Sequence, residues 1–218
     1  MVATTSPRAE PGASRLARFD GVERALHWVN AGLFLTLLFT ASILYVGPLS
    51  AAFGRRELIR HIHVWSGLAL PVPLLVAVAG RWGRALRADV RRLNRWDEQD
   101  RRWMRSLGRD PFVKLDKFNP GQKLNASFTV GTMAVMLVTG SVMNWFHYFP
   151  VDWRTGATFV HDWLAVFVFV VVVGHIGTAL ADPDALRGMV RGWVPARWAR
   201  DRRPRWDYSL RKGPTTRT

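Results

Sequence analysis

The sequence predicts an all-α membrane protein: four transmembrane helices in an up-down-up-down bundle, with a basic loop and basic tails. Three observations carry this. Hydrophobic residues make up 49% of the 218, yet the net charge is +15, so apolar runs are segregated from arginine-dense ones. Four of the apolar runs reach about 20 residues, the length that crosses a hydrocarbon core. Eleven tryptophans suit a protein with two membrane interfaces to anchor.

The elements follow in order. Residues 1–18 are rich in Ala, Ser, Pro and Arg and are expected to form a disordered cytoplasmic tail. They do not read as a signal peptide, because the apolar run that follows is too long and lacks a small-residue cleavage site. The first span is expected over 25–46, with His27 and Trp28 near its start and Gly47-Pro48 at its end. The second is expected over 60–79, with His61 and His63 at its start. Pro71 and Pro73 lie mid-span, where a bundled membrane helix bends and its backbone is re-satisfied by neighbours.

Residues 81–117 are polar, with ten arginines, two lysines and six acids, and RALRADVRRLNRW reads as an amphipathic helix on the membrane surface. The turn signal Phe118-Asn119-Pro120-Gly121-Gln122-Lys123 leads into a third span over 124–146. A short loop precedes the fourth, over 158–181. A four-helix membrane domain is thus expected over 19–195, followed by a basic cytoplasmic tail over 196–218.

The fourth span reads TFVHDWLAVFVFVVVVGHIGTALA and carries the chemistry. His161 and His175 are fourteen positions apart, hence about 40° apart in azimuth and about 21 Å apart along the axis. Ala165, Val168 and Val172 lie between them on that stripe and leave room for something flat. Ionisable residues inside a spanning helix are costly and point to function.

Counting charge gives the orientation. The 81–117 loop and the C-terminal tail are heavily basic, whereas the other two loops carry only Arg55, Arg56 and Arg154, with Arg60 at a helix edge. The positive-inside rule therefore places both termini and the long loop in the cytoplasm. Each histidine then acquires a depth: His63 and His161 outside, His27 and His175 inside. Two imidazoles from facing helices at one depth can supply both axial ligands of a haem iron in a bundle core. Without cysteine there is no thioether attachment, disulfide or iron–sulfur ligation, so the haems would be b-type. A zinc site wants four ligands in one place, not pairs about 21 Å apart. His61 and His63 differ by about 200° around the helix; periodicity leaves open which of them faces the bundle. His147 reads as a solvated interface residue. The pI of about 11.6 would also suit nucleic acid, but arginines flanking spans are better explained by the membrane surface and its lipids.

The segments RFDGVERALHW (18–28), HVWSG (63–67), KFNPGQKLN (117–125) and RGMVRGWVPARWARDRRPRW (187–206), with the His161/His175 spacing, resemble one family. It is that of the cytochrome b556 (gamma) subunits of respiratory formate dehydrogenases, within the di-haem group that also serves nickel–iron hydrogenases and thiosulfate reductases. The resemblance covers nearly everything after Arg15. It implies an inner haem b on His27 and His175 and an outer haem b on His63 and His161, which selects His63 over His61. It implies a quinone site at Asn119, Gly121 and Gln122 near the inner haem. Pro120 stands where the family usually has alanine, so an amide N–H is missing there. The implied partners are an iron–sulfur (beta) subunit outside the membrane and the catalytic (alpha) subunit that oxidises formate.

On that reading, electrons travel inward to quinone (menaquinone or ubiquinone), protons are taken up from the cytoplasm, and a potential builds across the cell inner membrane. A hydrogenase cytochrome b is the alternative within the redox class. A small transporter would place its polar residues at the midplane, and a haem-free anchor would need no level-matched histidines.

Overall fold

The computed structural model describes residues 15–212. Residues 1–14 of the tail 1–18 expected to be disordered, and the last residues, 213–218, lie outside them. Helix α1 spans Gly21–Tyr45. It starts at a capping box: Asp20 accepts the Glu23 N–H at 2.8 Å, and Glu23 accepts the Asp20 N–H at 2.9 Å. A short α2, Gly47–Phe53, follows the chain break that Gly47-Pro48 signals. The second span is built from α3, Arg56–Ala69, and α4, Val72–Ala79. Pro71 has no N–H to give the Gly67 carbonyl, which takes that of Leu70 at 3.3 Å instead. The span turns there and continues.

The polar loop holds two amphipathic helices, α5 over Arg84–Leu93 and α6 over Glu98–Arg105. Helix α7 spans Pro120–Asn144 and α8 spans Val151–Leu180. Helix α8 begins directly after Pro150, seven residues before the expected edge at 158. Hydropathy marks where a helix enters lipid, whereas the cap marks where it starts.

All four spans, Gly21–Tyr45, Arg56–Ala79, Pro120–Asn144 and Val151–Leu180, are long and apolar enough to cross a membrane. Large apolar side chains such as Phe39, Phe167 and Val170 point outward from them, as lipid-facing residues do. Helix α1 packs along α3, α3 on α7, and α7 along α8. Arg60 at the start of α3 donates to Asn144 at the end of α7 at 2.9 Å, and Arg56 donates to the Leu44 carbonyl at the end of α1. These contacts fix the alternating direction of the helices. The chain is a multi-pass membrane bundle.

At the arginine-rich end the structure departs from the expected loose tails. Residues Arg15–Ala17 form strand β1, which pairs antiparallel with β2, Trp193–Pro195, through Leu16 opposite Val194. Helices α9 (Pro183–Arg191), α10 (Ala196–Arg202) and α11 (Pro204–Lys212) complete a folded cap. Its core is Val194, Trp198, Ala199 and Trp206, with Leu16 and Ala185 packed against it. The Trp198 indole donates to Asp182 at 3.0 Å, and the guanidinium carbons of Arg18 and Arg203 lie 4.6 and 5.3 Å from its ring centre.

Burial, then Arg203, pushes Arg18 down to about 9, while Asp182 and Asp89 oppose the shift. Burial likewise lowers Arg203 to about 10, with Asp182 opposing. Both remain cations near neutral pH. Arg203 is therefore a core cation and not a lipid ligand, and Arg205 pairs with Asp97 at 2.7 Å. The neighbouring Arg202 is exposed.

Two buried ion pairs fasten the loop to the bundle. Lys117 binds Asp89 of α5, and Lys123 of α7 binds Asp100 of α6 at 2.7 Å while donating to the Arg95 carbonyl. Asp97 caps α6; although burial opposes it, the Arg205 hydrogen bond and the backbone N–H groups of Asp100 and Gln99 hold its carboxyl below the usual range. The expected amphipathic segment is helical, and the loop is fastened to α7 by Lys123–Asp100 and to the C-terminal helices by Asp97–Arg205.

Candidate cofactor site: two histidine pairs

The structure places His27, one and a half turns into α1, with its ring centre 6.1 Å from that of His175 near the end of α8. It places His63 of α3 with its ring centre 6.3 Å from that of His161, in the first half of α8. His27, His63 and His161 are half-buried and His175 is exposed. Helix α8 carries one member of each pair, so the two pairs stand at opposite ends of one rod. His61 points away, its Nε2 lying 3.1 Å from Glu57 at the surface. His147 is exposed, and its ring centre lies 4.0 Å from that of Tyr148 in a tilted contact.

A metal bonded to two imidazoles at about 2 Å each, along one axis, sets their ring centres about 6 Å apart. Both pairs match that spacing. Among the described residues no group of three or more His, Cys, Asp or Glu side chains converges, so each pair offers two nitrogen ligands and leaves the equatorial plane to a cofactor. Haem b, which brings four nitrogens of its own, fits this donor set. Gly140 adds a steric condition at the pair nearer α8's start. A Cβ there would lie 3.2 Å from Cε1 of His161, so Gly140→Ala is expected to displace that ring and, should it hold a haem, to shift that haem's absorption band.

The turn before α7 is an N-cap. Asn119 Oδ1 accepts the Gln122 N–H at 2.8 Å and Gln122 Oε1 accepts the Asn119 N–H at 3.0 Å. Both acceptor oxygens are thereby engaged, and Gln122 Oε1 also accepts from Arg203 at 3.4 Å. The cap leaves the two side-chain NH2 groups as donors. A Cβ on Gly121 would lie 3.4 Å from the Trp103 ring and from Asn119 Oδ1, so the glycine admits the tryptophan of α6. Among the described residues no hydrogen bond joins this turn to His175.

Sequence reasoning passed over two residues at the His63–His161 pair. Thr40 Oγ1 lies 2.8 Å from His63 Nδ1, and Thr139 Oγ1 lies 3.0 Å from His161 Nδ1. The signal was available only as a threonine on each of two helices at histidine depth, which does not distinguish a partner from a lipid-facing residue.

A membrane bundle with histidines paired across its helices is the architecture of a b-type cytochrome, an electron-transfer protein. The chain belongs to the prokaryotic cytochrome b561 family, whose model matches residues 18–192. It is 27% identical over 205 residues to the formate dehydrogenase cytochrome b556 subunit of Haemophilus influenzae, covering 88% of this chain and 82% of the relative. It is 25% identical over 209 residues to the formate dehydrogenase cytochrome b556(fdo) subunit of Escherichia coli K12, covering 90% and 94%. Against the nitrate-inducible formate dehydrogenase cytochrome b556(Fdn) subunit of the same organism it is 23% identical over 210 residues, covering 90% and 92%.

Proposed function

We propose that the chain is the cytochrome b subunit of a formate dehydrogenase of the cell inner membrane. It takes electrons from an iron–sulfur subunit on the outer side and delivers them to quinone on the cytoplasmic side. The observation that carries this reading is the pair of histidine pairs joined by α8, each at the ring spacing of a two-histidine metal site. The relatives' names support formate as the upstream substrate. The positive-inside rule supports a cytoplasmic position for the arginine-rich end and both termini.

Haem b bound by His27 and His175, and by His63 and His161, supplies reversible one-electron transfer at each level. The chain's own residues hold the two sites apart on one rod and cover the arginine-rich end with the folded cap. The NH2 groups of Asn119 and Gln122 are donors for a quinone carbonyl at that end, with Gly121 between them. Adding formate to membranes of the native host is expected to reduce the chain's haem bands, and a quinone analogue to reoxidise them. Reduction by hydrogen and not by formate would assign the chain to a hydrogenase instead.

The quinone turn has its own test, shaped by the cap. Asn119→Asp and Gln122→Glu keep the acceptor oxygens that close the capping box and remove only the NH2 donors. Both variants are expected to keep their haem spectra and to slow reoxidation by quinone about fivefold, the equivalent of about 1 kcal/mol for a lost donor. Unchanged reoxidation in both would place the quinone elsewhere.

A further inference from the structure

The two histidine pairs differ in what stands behind them. Thr40 donates its hydroxyl proton to the Thr36 carbonyl at 2.7 Å, one turn back in α1, and Thr139 donates to the Val135 carbonyl at 2.8 Å in α7. A hydroxyl carries one proton, so with that proton committed each Oγ1 is an acceptor toward the histidine. The contacts at 2.8 Å to His63 Nδ1 and 3.0 Å to His161 Nδ1 are then Nδ1–H donating to oxygen. This fixes the same tautomer in both rings and turns both Nε2 lone pairs toward the shared site. Among the described residues neither His27 nor His175 has a hydroxyl partner on its ring.

We propose that Thr40 and Thr139 are positioning residues for the His63–His161 site. They lock the Nε2-ligating tautomer and lower the reduction potential of the haem held there relative to the one at His27–His175. The physical reason is that a hydrogen bond from Nδ1–H makes the imidazole a more basic ligand. A more basic ligand stabilises the ferric over the ferrous state, and outer-sphere hydrogen bonding is one of the levers by which a protein sets a haem potential. Two such bonds on one site and none on the other tilt electron flow from the His63–His161 level toward the His27–His175 level. The two threonines come from different helices, α1 and α7, and each reaches a different histidine. The asymmetry thus rests on two separate contacts. This inference rests on the reading that both pairs bind haem.

The test is a redox titration of the full complex, purified with its partner subunits, carrying Thr40→Val, Thr139→Val, both together, or the serine counterparts. Valine keeps the shape and removes the hydroxyl. Each valine is expected to shift the oxidised-to-reduced ratio of the His63–His161 haem about tenfold toward reduced at a fixed poise, which is about 59 mV for one electron. The other haem should stay put, the double variant should add the two shifts, and serine should restore the starting value. Loss of that one haem from the valine variants, with retention in the serine ones, supports the same role. Two haems whose potentials do not move in either valine variant overturn the proposal and leave the two-site reading standing. So does loss of the haem from the valine and serine variants alike, since serine keeps the hydroxyl to which the role is assigned. A pyridine haemochrome value of one haem in the unsubstituted protein overturns both readings together.

Discussion

Replacement of His161 by alanine is expected to halve the haem content, from about two per chain to about one, and to remove the site shared with His63. His175→Ala is expected to do the same at the site shared with His27. The two losses should be separable, because the pairs use different partner helices and lie about 21 Å apart along α8. Ring centres at 6.1 and 6.3 Å would give each proposed haem two protein ligands, so losing one histidine would remove half of what the chain supplies. A pyridine haemochrome assay counts the haems and a low-temperature spectrum shows which band is missing. Normal haem content in either variant would show that the ligands are elsewhere. His61→Ala serves as the control and should retain both haems, since His61 faces Glu57 at the surface.

Lys117→Met is expected to destabilise the arginine-rich cap by about 3 kcal/mol, the low end of the cost of breaking a buried ion pair, because Arg92 remains on the Asp89 carboxylate at 2.8 Å. Asp89 is 3% exposed and Lys117 5%, so water cannot take over the role of the lost ammonium. Glu23, itself 7% exposed, interacts electrostatically with both Asp89 and Lys117, and two carboxyl groups without the lysine would repel. Unfolding followed by tryptophan fluorescence reads the effect, because Trp198 and Trp206 lie in the cap core. The double variant Lys117→Met with Asp89→Leu should recover most of the loss, as apolar replacement of a whole buried pair is close to neutral. A single-variant cost under about 1 kcal/mol would mean that the pair is solvated in the working protein.

The sequence carried the membrane part of the fold nearly whole. Apolar length marked four spans, and the charge asymmetry between loops gave their directions before any contact was known. The depth of each histidine then followed from counting along helices, which is why His27 with His175 and His63 with His161 were legible as levels. Helix periodicity left His61 against His63 open. The structure turns His61 to Glu57 and brings His63 to His161, a choice made by how α3 is rotated against α7 and α8.

The cap was read least well. Residues 1–18 were expected as a disordered tail and 196–218 as a basic one, because charged and turn-forming residues are scattered among their apolar residues. Strand β1 has three residues and pairs across nearly the whole chain, from Leu16 to Val194, and such a short, distant pairing leaves no local signal. A buried arginine is likewise invisible in sequence: Arg203 and Arg202 are adjacent and chemically identical, yet one stacks on Trp198 and the other meets water.

By itself, then, the sequence determined what the bilayer selects for: the number of spans and the level of each histidine along them. Those follow from hydropathy and charge, which are properties summed along the chain. Only the tertiary structure decided which side chains meet at a given depth. Thr40 and Thr139 became partners of His63 and His161 through helix rotation, and Arg18 and Arg203 became core residues through contacts between segments far apart in the chain. Rotation and long-range pairing depend on packing against neighbours, and that information is held in the folded bundle as a whole.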